Sequence, residues 1–400
     1  MKKITMIVAA AALLGTSLAA QAADTKIGIL MDITGPIANF IPPLQNAVNL
    51  AVKQVNAQGG LLDGMAVPVF GDTTGTSQGA VDAAGKLANI ENVPVIMGAL
   101  MSGTTIAAAE AVSIPAGIVQ ISPTATSPAM SGLKDADLVY RVVPSDNYQG
   151  AVLARMVLAE GIKKVAVTYV NNDYGVGIGQ TFMAAYKAAG GEVAAEQKHE
   201  EKKDSYRSEL ATLSKAGAEA LVVIAYAGDS GVKIVKQSIE GGLFTRFIGT
   251  DGLRDDLLIK DVGAEALKTS FFSSPTSPAD NPAQKTLHDA FNAEFKEGAD
   301  KAFVDQTYDA TFLALLAVEK AGSADRSKIA AALREVASAP GEKIGPGEWA
   351  KAKELIKAGK DIDYDGAGGA HDFDANGDVT GYIGRFIVDG TSYKQTAVVE

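Results

Sequence analysis

The chain has no cysteine. Disulfides, thiolate metal sites and cysteine nucleophiles are therefore excluded, and an exported form must be held by its cores alone. A bacterial lipoprotein needs a cysteine at its cleavage site, so no lipid anchor is expected. Histidine is scarce as well. His199, His288 and His371 are the whole supply, too scattered to read as a metal site, and no cofactor is expected. Basic residues are outnumbered, 36 against 47 acidic. Such a surface repels nucleic acid and anionic lipid. After the first twenty residues no run is long and apolar enough to span a bilayer. What is present is a 400-residue chain that is 47% hydrophobic, enough for two ordinary cores.

The N-terminus reads as an export signal. Lys2 and Lys3 precede an apolar, small-residue run over residues 4–20, and Ala20-Gln21-Ala22 fits the small-x-small rule. Residues 1–22 are expected to be a signal peptide cleaved after Ala22, with Ala23 as the mature N-terminus. An uncleaved anchor is the alternative reading of the same run. Loss of the two lysines takes the net charge from −11 to −13, with 34 basic residues left against 47 acidic.

From Lys26 onward, β-rich runs alternate with helical patterns. "KIGILMDI", "MAVPVFGDT", "VPVIMGAL", "GIVQISP" and "LVYRVVP" read as strands, separated by helices such as "PLQNAVNLAVKQVNAQGG" and "SQGAVDAAGKLANIE". Strands joined by helices imply right-handed crossovers and a parallel sheet. The alternation restarts after residues 141–145, with "KKVAVTYVN", "GEVAAEQ", "ALVVIAYA", "RFIGTDG" and "KTSFFSSP" as strands. The fold class is thus α/β, with two doubly wound parallel-sheet lobes. A second crossing falls at residues 271–277. Three further helical patterns follow, then an extra surface helix around Trp349 and a terminal strand, "YIGRFIVDG".

Three motifs imitate other chemistry. "DFDANGDV" opens like a calcium loop, but its twelfth position holds Ile383 where a bidentate glutamate is required. A tight Asn376-Gly377 hairpin between two strands is expected instead. "GDSG" at residues 228–231 matches the serine segment of trypsin-like proteases. A serine nucleophile needs a histidine base, and no histidine is expected at a strand end, so Asp229 reads as a helix cap. "YGVGIGQ" offers Gly175, Gly177 and Gly179, yet Gln180 stands where the dinucleotide fingerprint wants glycine or alanine; Glu196 keeps a nucleotide reading open.

In open parallel sheets, ligands sit beyond the carboxyl ends of the strands. In the first half those ends carry hydroxyls: Ser102, Thr104 and Thr105 after "VPVIMGAL", then Ser122, Thr124 and Thr126 in "ISPTATSP". In the second half they carry Tyr174, Tyr226 and Asp251. Hydroxyls and spare N–H groups at a helix start favour an anion, and no arginine or lysine adjoins them, which fits one carboxylate rather than a polyphosphate. Asp251 favours a cation. Tyr174, Tyr226 and Phe40 can wall an apolar space. A zwitterionic amino acid satisfies the whole set. Each residue also has an ordinary role, as a helix cap or as packing at a lobe edge.

The order of "KIGILMDITGPIANF", "ENVPVIMGALMSGTT", "ISPTATSP", "YRVVPSDNYQG", "NNDYGVG", "FIGTDG" and "FDANGD" resembles that of periplasmic solute-binding proteins for branched-chain amino acids, over essentially the whole mature chain. The resemblance implies two α/β lobes joined by three hinge strands with a ligand cleft between them. One lobe would comprise residues 23–143 plus 275–381 and the other residues 144–274 plus 382–400, the third crossing lying at 381–385. It further implies that Ser102 and Thr126 bind the ligand carboxylate, with Thr104 in the same turn and main-chain groups near Leu100 and Ala125. Asp251 would take the ammonium, where leucine-type members usually carry glutamate. Tyr174, Tyr226 and Phe40 would line the cleft. The insertion around Trp349 departs from the shorter leucine-type pattern. The implied protein is a monomeric, non-enzymatic periplasmic component of an ABC importer that delivers an aliphatic or branched-chain amino acid to an inner-membrane permease. Two alternatives stay open: a sensor or importer subunit for an amide or aromatic acid, and a secreted serine hydrolase built on "GDSG".

Overall fold

A computed structural model describes residues 23–399. The expected export signal and its cleavage site lie outside the described residues. The first sheet is built from β1 (Thr25–Met31), β2 (Ala66–Asp72), β3 (Val95–Gly98), β4 (Val119–Ser122) and β5 (Val139–Arg141), linked by α1 (Ile41–Ala57), α2 (Ser77–Asn89) and α3 (Ser102–Ala108). All its pairings are parallel, in the order β2-β1-β3-β4-β5. Strands β3 and β4 are buried along their whole length, as strands covered on both faces must be. Helix α1 tolerates Pro42 and Pro43 because they fall in its first turn, where N–H groups have no intrahelical partner.

The chain then crosses at residues 142–145 into the second lobe. There it forms α4 (Asp146–Ala159), β6 (Lys164–Val170), α5 (Asp173–Ala188), β7 (Glu192–His199), α6 (Arg207–Ser214), β8 (Ala220–Ile224), α7 (Val232–Glu240), β9 (Phe247–Gly249), α8 (Asp256–Val262), α9 (Ala264–Leu267) and β10 (Phe271–Thr276). It returns to the first lobe as α10 (Pro282–Phe295), α11 (Val304–Ala321) and α12 (Arg326–Ala337), followed by β11 (Glu342–Ile344), α13 (Trp349–Lys357), β12 (Ile362–Gly366) and β13 (Gly369–Ala370). A third passage, residues 371–381, leads to β14 (Tyr382–Asp389) and β15 (Ser392–Val399). The second sheet runs β15-β14-β10-β9-β8-β6-β7, parallel except for the antiparallel β14–β15 hairpin at one edge. The two-lobed, doubly wound α/β architecture is therefore the one the alternation implies.

Both sheets reverse strand order beside their first strand, between β1 and β3 in one and between β6 and β8 in the other. Those switch points open a crevice at the strand carboxyl ends, and the crevices of the two lobes face each other. Helix α11 backs the first sheet; every residue from Val304 to Val318 is buried, polar ones included.

Two local expectations are corrected and one is extended. The helix around Trp349 lies at the surface with Ala350, Glu354 and Lys357 exposed, but its inner face is anchored: Trp349 is fully buried, its indole N–H donates to Gly60 O at 3.0 Å, and its ring meets Phe312 edge-on. Helix α13 belongs to a small three-stranded sheet, β11-β12-β13, whose strands of two to five residues carry too little alternation to be read from sequence. The Asn376-Gly377 turn joins no two strands; it closes on itself inside the third passage, with Asp374 N–H donating to Asp378 O. Asp229 caps no helix, and its carboxylate accepts Lys202 N–H at 2.9 Å.

Candidate functional site

On the first lobe the site begins with Asp32 at the end of β1. Its fully buried carboxylate accepts the N–H groups of Leu100 (2.9 Å) and Met101 (3.1 Å) and the Thr73 hydroxyl (2.6 Å). Burial pushes its pKa up, and these bonds pull it back. Asp32 thereby fixes the turn between β3 and α3. Thr104 and Thr105 both donate their hydroxyls to Met101 O, at 2.9 and 2.8 Å. They are spent on the turn itself. Ser102 differs: its Oγ accepts Ser127 N–H at 3.2 Å and keeps its own proton for another acceptor. No side chain caps the first turn of α3. Beside it, Thr124 donates to Leu100 O (2.5 Å), and Ala125 N–H donates to Ser122 Oγ (3.0 Å).

On the second lobe, Asn172 caps α5 by accepting Gly175 N–H at 3.0 Å and so sets Tyr174 at the helix start. Tyr174 and Tyr226 stack with ring centroids 5.1 Å apart. The Tyr174 hydroxyl donates to Asp251 Oδ1 (3.0 Å), lies 2.7 Å from Thr250 Oγ1 and accepts Gly252 N–H (3.2 Å). Gln149 Nε2 also donates to Asp251 Oδ1, at 2.8 Å. Burial still dominates and raises the Asp251 pKa to about 6, against the pull of the Gln149 and Tyr174 bonds.

Behind Asp251 lies a second acid. Asp146, in the first turn of α4, is fully buried, and the Thr126 side chain beside it lowers its pKa only in part. Gln149 Oε1 is buried with no hydrogen-bond partner. Burial first, and the Asp251 charge second, hold the Asp146 carboxyl well above the usual carboxylate range. Asp251, the acid of this group that lines the cavity, is the one placed to meet an ammonium.

One narrow cavity joins the two walls. Ser102 and Thr124 face it from one lobe, Tyr174, Tyr226 and Asp251 from the other. Ile37, Phe40, Leu44, Leu100, Met101 and Phe303 form its apolar part. Of the residues expected to bind ligand, Phe40, Leu100, Ser102, Tyr174, Tyr226 and Asp251 thus share this lining. Thr104 and Ala125 stand in the turns behind it, and Thr126 stands beside Asp146. Leu100 brings its side chain, its N–H and C=O being engaged by Asp32 and Thr124. The sequence reading missed Asp146 and Gln149, which look like an ordinary helix start after the Ser145 cap. It also missed Leu44 and Phe303. Phe303 holds a left-handed φ of 66° just before α11, a conformation no sequence pattern announces.

The lobes touch. Ser127 Oγ donates to Asp173 O at 2.9 Å, and Lys301 pairs with Asp256 at 2.5 Å. The glycines of "YGVGIGQ" serve packing: a Cβ at Gly175 would lie 2.2 Å from Val170 O, and one at Gly177 would lie 2.7 Å from Pro128. The "GDSG" serine does have a histidine, contrary to expectation. His199 ends β7, and its Nε2 lies 3.0 Å from Ser230 Oγ. Its Nδ1 faces the Thr168 hydroxyl (2.7 Å) rather than an acid, and Ser230 is fully buried. Burial pushes the imidazole down to about 4. An enclosed serine cannot reach a carbonyl, so this pair is a core hydrogen bond.

A family model described as "Periplasmic binding protein" matches residues 24–380. A leucine-, isoleucine-, valine-, threonine- and alanine-binding protein of Pseudomonas aeruginosa is 28% identical over 336 residues, 83% of this chain and 88% of its own length. Among solved structures, a leucine-binding protein from Thermotoga maritima superposes with a TM-score of 0.79 at 24% identity, covering 94% of this chain and 98% of the other. A solute-binding protein from R. palustris in complex with benzoate superposes with a TM-score of 0.75 at 19% identity, covering 94% and 96%. Both structures attest the fold.

Proposed function

The chain belongs to the periplasmic binding protein family, and from that premise we propose that it captures a zwitterionic amino acid with an aliphatic or branched side chain. The family is one of non-catalytic solute binders that work outside the cytoplasm with ABC importers. In this reading Ser102 and the start of α3 take the carboxylate. Asp251 takes the ammonium, with Asp146 and Gln149 Oε1 behind it, and Thr126 stays with the carboxylate turn. The side chain lies against Phe40, Leu44, Leu100 and Phe303.

One observation carries the reading: a single cavity has the Ser102 hydroxyl on one lobe, the buried acid Asp251 on the other, and apolar walls between. A ligand that bridges the two favours the closed form, because only that form makes both sets of contacts. A micromolar affinity is about −8 kcal/mol, ample to shift a lobe equilibrium costing a few. The closed form is what the permease would read. The lobes divide in this proposal at the three passages, into residues 23–143 plus 275–381 and 144–274 plus 382–400, and the mature protein is a monomer beginning at Ala23. An acid without an ammonium, such as the benzoate bound by the R. palustris protein, would leave Asp251 and Asp146 buried and unpaired.

Thermal-shift screening of the twenty amino acids, simple amides and aromatic acids tests the proposal, since a tight ligand raises Tm by mass action. Leucine, isoleucine or valine is expected to give the largest shift. A shift with benzoate and none with any amino acid would end it.

A further inference from the structure

The turn that carries Thr126 and Ser127 is held from behind by a buried arginine. Arg141, the last residue of β5, is wholly enclosed. Its Nη1 donates to Thr126 O (2.9 Å) and Ser127 O (2.8 Å), its Nη2 to Ser131 Oγ (2.8 Å), and its Nε to Asp378 Oδ1 (2.7 Å). Ser131 Oγ in turn donates to Asp378 Oδ2 at 2.6 Å. Asp378 sits in the third passage between the lobes, and Arg141 immediately precedes the first.

The "FDANGD" turn is shaped for this approach. Asp374 Oδ1 accepts the N–H groups of Asn376 (2.7 Å) and Asp378 (3.0 Å). Gly377 adopts φ 72°, and a Cβ there would lie 2.3 Å from Val139 O. Its carbonyl accepts Arg141 N–H at 3.0 Å. Only glycine lets the third passage lie this close on β5.

We propose that Arg141 and Asp378 are a positioning pair that sets the carboxylate seat and ties it to two of the three passages. Thr126 C=O and Ser127 N–H belong to one rigid trans peptide. Arg141 holds the oxygen end, and Ser102 Oγ accepts from the nitrogen end. The guanidinium therefore fixes the plane that aims the Ser102 hydroxyl. Ser127 Oγ extends the same turn across the cleft to Asp173 O. Asp378 supplies the counter-charge without which a buried guanidinium would not stay in place.

The ligand arm of the test rests on the amino-acid reading; the other arm does not. In hydrogen exchange of the ligand-free mature protein, Asp378→Asn is expected to speed exchange about tenfold in peptides covering 122–131 and to leave β1 and β3 as in the wild type. In calorimetry, the preference for leucine over leucinamide is expected to fall about tenfold, because the seat for the carboxylate is what loosens. Unchanged exchange at 122–131, a rise spread evenly over the first lobe, or equal loss of both ligands would overturn the proposal. If the wild type takes no amino acid, the functional reading falls, and the exchange result still decides the positioning role. Should Asp378→Asn not fold, Ser131→Ala removes two hydrogen bonds of the same network, keeps the ion pair, and is read the same way with a smaller expected change.

Discussion

The Tyr174 hydroxyl donates to Asp251 Oδ1, and Gln149 donates to the same oxygen. Both side-chain donors thus fall on one oxygen of the carboxylate, and Asp251 lines the cavity. Replacing Asp251 by Asn keeps the shape and removes the charge. Leucine affinity is expected to drop by about 2 kcal/mol, roughly 30-fold, in calorimetry. The ligand-free variant is expected to melt higher at pH 7, because an under-compensated buried charge is gone. Equal affinity in variant and wild type would remove Asp251 from the site.

The same acid dictates a pH response. Its pKa in the empty folded protein is raised from the ordinary 3.8 to about 6, with burial as the main cause. A carboxyl with a raised folded pKa contributes stability that is fully present below its unfolded pKa and is lost as pH rises through the folded one. The empty protein should therefore gain stability as pH falls from 7 towards 4, and the gain should shrink in Asp251→Asn. Ligand binding runs the other way. An ammonium needs the ionised acid, so below about pH 6 capture must expel a proton, and Kd should rise up to about tenfold per pH unit. Melting curves and calorimetry from pH 7 to pH 4.5 check both signs; affinity flat over that range would refute the ammonium seat at Asp251.

Much of this was legible because the strands are so plainly apolar. "VIMG" and "ALVVI" are buried from end to end, and a run covered on both faces is the mark of a parallel sheet. Once the sheets were placed, the strand-end rule gathered Ser102, Tyr174, Tyr226 and Asp251 without further help. Asp146 and Gln149 escaped because an acid and an amide in the first turn of a helix are what any helix start shows. Their roles follow from burial, which no local pattern encodes. His199 escaped for a similar reason: it ends an exposed edge strand, β7, whose pattern is only partly apolar. The role of "FDANGD" lies 237 residues from its partner Arg141, and only the folded chain brings them together.

Closure itself can be probed at glycines where one lobe meets the other. Gly228 is not in a left-handed conformation, so alanine suits its backbone. A Cβ there would nevertheless lie 2.5 Å from Pro36 O on the opposite lobe. Gly228→Ala should leave the empty protein's Tm within about 1 °C of the wild type yet weaken leucine binding about tenfold, since only the closed form suffers the clash. X-ray scattering should show a larger radius of gyration for the leucine-loaded variant than for the leucine-loaded wild type. Identical scattering curves would mean that this contact does not limit closure.

Trp349 gives a test of the inserted helix that leaves the cleft alone. The ring is enclosed against Phe312, which itself stacks on Tyr308 and Tyr364, and the indole N–H is committed to Gly60 O. Trp349→Ala deletes that packing and one of the two donors on Gly60 O, Lys353 Nζ being the other, so urea unfolding should show a loss of about 3–5 kcal/mol. Trp349→Phe should lose less, keeping most of the apolar contact. None of these groups lines the cavity, so leucine affinity under conditions where the variants are folded should match the wild type. Trp349 is also the only tryptophan. The wild-type emission therefore reports unfolding of the first lobe and should not move when ligand enters. A binding defect in folded Trp349→Phe would show that α13 is coupled to the cleft through α11 rather than acting as a separate brace.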